Sequence, residues 1–121
     1  MTPGDRRAAA ASELKAARAA LQLIVLLVDE GRAAFDESLD RRRHLAYLWI
    51  VAGSRLKNHG RVLQVARTGG EFSLAIGLRQ KLAYSTPDKV DMGVLWRASR
   101  QNAGPLLQQV DEAISALAAE A

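Results

Sequence analysis

Cysteine is absent from this 121-residue chain, which excludes disulfides and thiolate zinc sites and is compatible with a reducing compartment. Long apolar runs are missing as well. The greasiest stretch, Leu21 to Val28, is eight residues long and contains Gln22, whereas a membrane span needs about 20 apolar residues. No transmembrane helix and no membrane partner are therefore expected. Histidine is scarce too: His44 and His59 have no third ligand nearby in sequence, so no metal site is expected. There is no Walker loop, and Gly69-Gly70 reads as a turn rather than a phosphate cradle, which leaves no cofactor to expect. The alanine-rich stretch after Arg6 and Arg7 is followed by Glu13 and Lys15, a poor signal peptide, so the expected location is the cytoplasm.

What the chain does contain is helical periodicity. At 121 residues the chain suits one domain and is too short for two, and a hydrophobic content of 49% is enough to build its core. Residues 1–11, with Pro3, Gly4 and a run of alanines, read as a flexible N-terminus, and residues 12–121 as a single helical domain. Ser12 is a plausible N-cap for a central first helix, in which Leu14, Leu21, Val25 and Val28 recur at helical spacing and Leu23, Leu26 and Leu27 widen the stripe toward all-round burial. The pattern runs on toward Phe35. Ser38 or Asp40 suits the cap of a second long helix carrying Leu45, Leu48, Trp49, Ala52 and Leu56, and Thr68-Gly69-Gly70-Glu71 breaks the chain. A third helix from about Glu71 repeats Leu74, Leu78 and Leu82 and must end near Tyr84 or Ser85, ahead of Pro87. Asp88 or Asp91 is placed to cap a short fourth helix with Leu95 and Trp96. Asn102-Ala103-Gly104-Pro105 is expected to end it and to start a last helix through Leu107, Val110, Ile114 and Leu117. No alternating strand pattern, internal repeat or long heptad series appears. The fold class is all-α, a bundle of four or five helices, and surplus apolar surface on so small a bundle favours a homodimer.

Charge adds a direction. The net charge of +4, with a pI near 10.0, favours polyanions such as RNA through phosphate neutralisation. Arg41, Arg42 and Arg43 are consecutive, Arg55 follows on the same predicted helix, and Lys81 lies on the third; these five are the candidate RNA-binding residues.

The segment Gly77-Leu78-Arg79-Gln80-Lys81-Leu82-Ala83-Tyr84 resembles a string of the approximate form G-[ML]-R-N-x-L-x-H found in the HepT branch of the HEPN superfamily. Val94-Leu95-Trp96 is similar to the family's D-x-x-x-V-W continuation. Upstream, Val51-Ala52-Gly53-Ser54-Arg55-Leu56 resembles its G-E-A-x-x-R-L helix, with the family glutamate falling on Val51. The similarity covers roughly residues 40 to 117. It implies a four- to five-helix HEPN-like bundle, a homodimer, and the toxin half of a toxin–antitoxin pair. The implied activity is metal-independent RNA endonuclease, and the implied partner a minimal nucleotidyltransferase antitoxin. The family histidine falls on Tyr84, which implies an activity altered or reduced, or a non-catalytic module that binds RNA, nucleotide or partner.

Metal-free cleavage of RNA needs proton removal, proton donation and positive charge against the developing phosphorane. Arg79 is assigned the last role, since its fork matches phosphate oxygens and stays charged. Histidine, near pH 6.5, suits proton transfer at neutrality, whereas tyrosine, near 10, is a poor base. Tyr84 is the candidate catalytic partner, as a weak acid, a hydrogen-bond donor or a stacking surface. Five residues on an ideal helix separate two side chains by about 140°. Arg79 and Tyr84 therefore converge only if the helix ends between them or if two copies share a cleft. The family also carries a tyrosine two residues after its histidine, which in some members accepts nucleotidyl groups. Here either Thr86 is the alternative hydroxyl acceptor, or a two-residue deletion has brought the acceptor tyrosine to Tyr84. Arg55 and His59, one turn apart, form a candidate displaced basic site.

Overall fold

The computed structural model describes residues 2–63, 72–85 and 90–120. Five helices make up the described chain: α1 (Pro3–Asp29), α2 (Arg32–Glu37), α3 (Leu39–Leu63), α4 (Ser73–Tyr84) and α5 (Met92–Ala119). Among the described residues there is no strand, as expected for an all-α bundle.

The first helix begins at Pro3, nine residues before the expected cap at Ser12, and residues 3–11 are not a loose tail. The cause is a capping box that composition alone obscured. The Asp5 N–H donates to Thr2 Oγ1 at 3.0 Å, the Thr2 N–H donates to Asp5 Oδ2 at 3.3 Å, and Pro3 supplies a preset φ in the first turn. The alanines that follow are strong helix formers. Ala10, Leu14, Ala17, Leu21 and Ile24 are fully buried, forming the stripe that α1 turns toward α3 and α5. Small residues at positions 10 and 17 let the neighbouring helices approach closely. Burial is not all-round: Leu23 and Leu26 are exposed, which corrects that expectation.

Gly31 ends this run. Its φ of 94° lies in the left-handed region that glycine adopts without a steric penalty, and the chain turns there into the six-residue α2. Phe35 is buried as the pattern indicated, but against the Trp96 ring, at a centroid distance of 5.1 Å, rather than as an extension of α1. Ser38 then caps α3, its Oγ accepting from the Arg41 N–H at 3.1 Å. All five expected core positions of this helix, Leu45, Leu48, Trp49, Ala52 and Leu56, are buried.

Helix α5 is one element where two were expected. Asp91 caps it by accepting from the Val94 N–H at 3.1 Å, and Pro105 lies within it. Proline removes one backbone donor and strains the preceding residue by clashing with its Cβ. Gly104 has no Cβ, so the second penalty is reduced, and the carbonyl left without its helical donor belongs to an exposed residue, Gln101. Burial of Ala103, Leu106, Val110 and Leu117 on both sides of the proline carries the helix through. Deep in the bundle the Trp49 Nε1–H donates to Ser99 Oγ at 2.8 Å, and the Ser99 hydroxyl donates to the Leu95 carbonyl at 2.7 Å. Among the described residues no buried side-chain polar atom lacks a partner.

Candidate nucleic-acid interface

Helix α4 carries the Arg79 motif, and its position is set by a glycine on α3. A Cβ built on Gly53 would stand 2.4 Å from the Ala75 carbonyl oxygen and 2.4 Å from Arg79 Cβ. Only a residue without a side chain permits that approach. The fully buried Ala75 presents the matching small surface on α4. The two helices run antiparallel: Arg79 meets Ser54, while about two turns of α3 earlier Ala46 faces Leu82 and about one and a half turns later His59 faces Phe72.

Arg79 is half-buried, and its Nε donates to Ser54 Oγ at 3.1 Å. The stem is fixed against Gly53 and the guanidinium is oriented by a neutral hydroxyl. Among the described residues no carboxylate forms an ion pair with it. A hydroxyl anchors without neutralising, so the charge remains available to an external anion.

The other candidate cations divide. Arg41 is paired with Glu30, and Arg55 Nη1 lies 3.4 Å from Glu13 Oε2. Arg42 donates through Nη1 to the carbonyls of Phe35 and Asp36, satisfying the last acceptors of α2. These three arginines hold helices together. Arg43 and Lys81 are exposed and have no ion pair among the described residues. They lie on either flank of the α4 C-terminus. Arg43 lines a groove of about 210 Å³ with Tyr47, Leu82, Ser85 and Met92, and Lys81 one of about 220 Å³ with Leu82, Ser85, Val94 and Leu95.

Tyr84 is the last residue of α4 and is 76% exposed; the helix closes after it, with the Ser85 N–H donating to the Lys81 carbonyl at 3.0 Å. Arg79 and Tyr84 therefore lie on one unbroken helix. A helix end between them, one of the two routes to convergence, is not present. Thr86, the alternative acceptor hydroxyl, lies outside the described residues, as do Pro87 and Asp88.

The two histidines serve other surroundings. His44 is exposed on α3. His59 packs edge-on against Phe72, ring centroids 5.9 Å apart at 75°, and burial holds its imidazole below the ordinary 6.5 against the opposing pull of Glu13. Arg55 and His59 do share a face, but that face turns toward Glu13 and Phe72. Among the described residues no three His, Cys, Asp or Glu side chains come close enough to hold a metal ion.

Sequence reading missed Tyr47. It is 61% exposed, stands one turn beyond Arg43, and lines the same groove. The Arg-x-x-x-Tyr spacing was the available signal, since residues four apart share a helix face. Comparison of the chain with protein-family models, with curated proteins and with solved structures finds no match.

Proposed function

We propose that this chain is a HepT-like HEPN protein, the toxin component of a toxin–antitoxin pair, which engages RNA at the exposed end of α4. One observation carries the reading: Arg79 is oriented by Ser54 and left un-neutralised among the described residues. Arg43 and Lys81 flank the C-terminal end of the same helix, and Tyr47 and Tyr84 offer exposed rings there. Guanidinium for phosphate and phenol for base stacking is the combination that single-stranded RNA recognition uses. In this reading the antitoxin is a minimal nucleotidyltransferase, and Tyr84 or Thr86 is the hydroxyl it modifies. Tyr84, 76% exposed, is accessible to such an enzyme.

Cleavage within one protomer is disfavoured by geometry, because Arg79 and Tyr84 are about 140° apart on a continuous helix. Endonuclease activity in this chain therefore depends on two copies sharing a cleft. The same observation favours the second reading, a non-catalytic HEPN module that binds RNA or its partner.

A ribonuclease assay on purified protein separates the two. Cleavage abolished by Arg79→Ala and by Tyr84→Phe supports the catalytic reading. RNA binding without cleavage supports the module. Cleavage unchanged in both variants contradicts the site. The gene next to this one gives an independent check, since a small nucleotidyltransferase with a G-S-x(10)-D-x-D pattern is expected there.

A further inference from the structure

A second basic surface lies away from α4. The first turns of α5 have two flanks: one carries Asp91, Val94 and Leu95 beside α4, and the other carries Trp96, Arg97 and Arg100 beside Arg32 of α2. Arg32 reaches over Gly93, where a Cβ would come within 3.7 Å of its Nη2. Its guanidinium carbon is 6.0 Å from the ring centroids of both Phe35 and Trp96, and its Nε donates to the two Asp36 carboxylate oxygens at 2.9 and 3.0 Å. The buried rings, packed at a tilt, thus fix one guanidinium at the edge of an open groove of about 520 Å³, which Arg97, Arg100 and Gln101 complete.

Charge and shape decide what fits there. Three guanidinium groups line the groove; Arg32 is paired with Asp36, and neither Arg97 nor Arg100 has an ion-pair partner among the described residues. Forked donors of this kind match phosphate oxygens. Trp96 is only 5% exposed and its ring is taken by Phe35, so the groove offers no aromatic platform for a base. The opening suits a strand passing through.

We infer that the α2–α5 groove is a second phosphate-binding site, which takes the backbone of single-stranded RNA. The inference rests on the RNA reading for the identity of the strand, whereas the groove shares no residue with the Arg79 surface.

The test is fluorescence anisotropy with an end-labelled single-stranded oligoribonucleotide over a range of salt concentrations. Proteins compared are the wild type, Arg97→Ala/Arg100→Ala, Arg79→Ala, and Arg7→Ala/Lys15→Ala as a control removing the same charge from α1. Loss of two phosphate contacts makes the salt slope shallower by about 1.4 and weakens binding about 25-fold at ~0.1 M salt. The α1 control stays near wild type. Equal losses in the α1 control and the α5 double variant overturn the inference, as does wild-type affinity in the double variant or no RNA binding by the wild type. ATP binding that is lost in the double variant while RNA affinity is unchanged also overturns it, assigning the groove to a free nucleotide. Loss in Arg97→Ala/Arg100→Ala with binding intact in Arg79→Ala upholds the groove and removes Arg79 from the proposed function; the reverse pattern does the opposite.

Discussion

Replacing Gly53 by alanine adds one methyl group at the place where α3 and α4 touch most closely. The new Cβ would stand 2.4 Å from both the Ala75 carbonyl oxygen and Arg79 Cβ, and carbon contacts are comfortable only from about 3.5 Å. The helices must part by about 1 Å. One of the obstructing atoms is backbone and the other is a Cβ, so no rotamer change relieves the contact. Overpacking of this kind costs about 1–3 kcal/mol, and the better helix propensity of alanine returns about 1 kcal/mol. Because neither obstructing atom can rotate away, the upper end of that range applies, and a net loss of about 2 kcal/mol is expected. With an unfolding entropy of about 2.1 cal/mol/K per residue, that lowers Tm by about 8 °C. Gly77→Ala is the matched comparison. It lies inside α4, is exposed, and has no atom within 4 Å of its would-be Cβ, so the same change should raise Tm by about 4 °C through propensity alone. Thermal unfolding followed by circular dichroism measures both. A Gly53→Ala protein at least as stable as the wild type would refute the close α3–α4 packing that positions Arg79.

Ser99→Ala leaves the buried Trp49 Nε1–H without an acceptor and should cost about 1–3 kcal/mol in urea unfolding; a change under about 0.5 kcal/mol would mean the bond contributes little. Burial lowers the His59 pKa in the fold, so the unfolded chain binds that proton more readily. The contribution of His59 is full above about pH 6.5 and is lost as pH falls below it. His59→Gln should flatten the loss of stability between about pH 7 and pH 5, and Glu13→Gln should steepen it; an unaltered pH profile in His59→Gln would exclude this group as its source. Pro105→Ala restores a donor for the Gln101 carbonyl and should raise stability by roughly 1–3 kcal/mol, whereas a fall would mean that the proline stabilises the fold through the unfolded chain.

The apolar rhythm of α3 was readable because its core residues, Leu45 to Leu56, are large and spaced for one face. The same logic failed for α1, whose contact surface is built partly from Ala10 and Ala17, residues that a hydrophobicity pattern does not distinguish from exposed alanines. Pro105 was read as a boundary because local penalties are visible in a sequence and the tertiary burial that outweighs them is not. At the candidate site, residue types pointed to Arg79 and its neighbourhood, but not to the partners of each cation. Arg41, Arg42 and Arg55 looked like phosphate ligands until Glu30, the α2 carbonyls and Glu13 were found beside them. Those pairings join residues up to 42 positions apart, beyond the reach of spacing rules. Arg32, Arg97 and Arg100 were overlooked for the same reason: they meet only because α2 folds back on α5.

The most direct measurement is the salt dependence of RNA affinity for the wild type and for Arg79→Ala. If Arg79 holds a phosphate of a single strand, the wild type binds with a salt-sensitive affinity. The variant should then bind more weakly, with a slope shallower by about 0.7. Identical affinity and slope in the two proteins would contradict RNA engagement through α4.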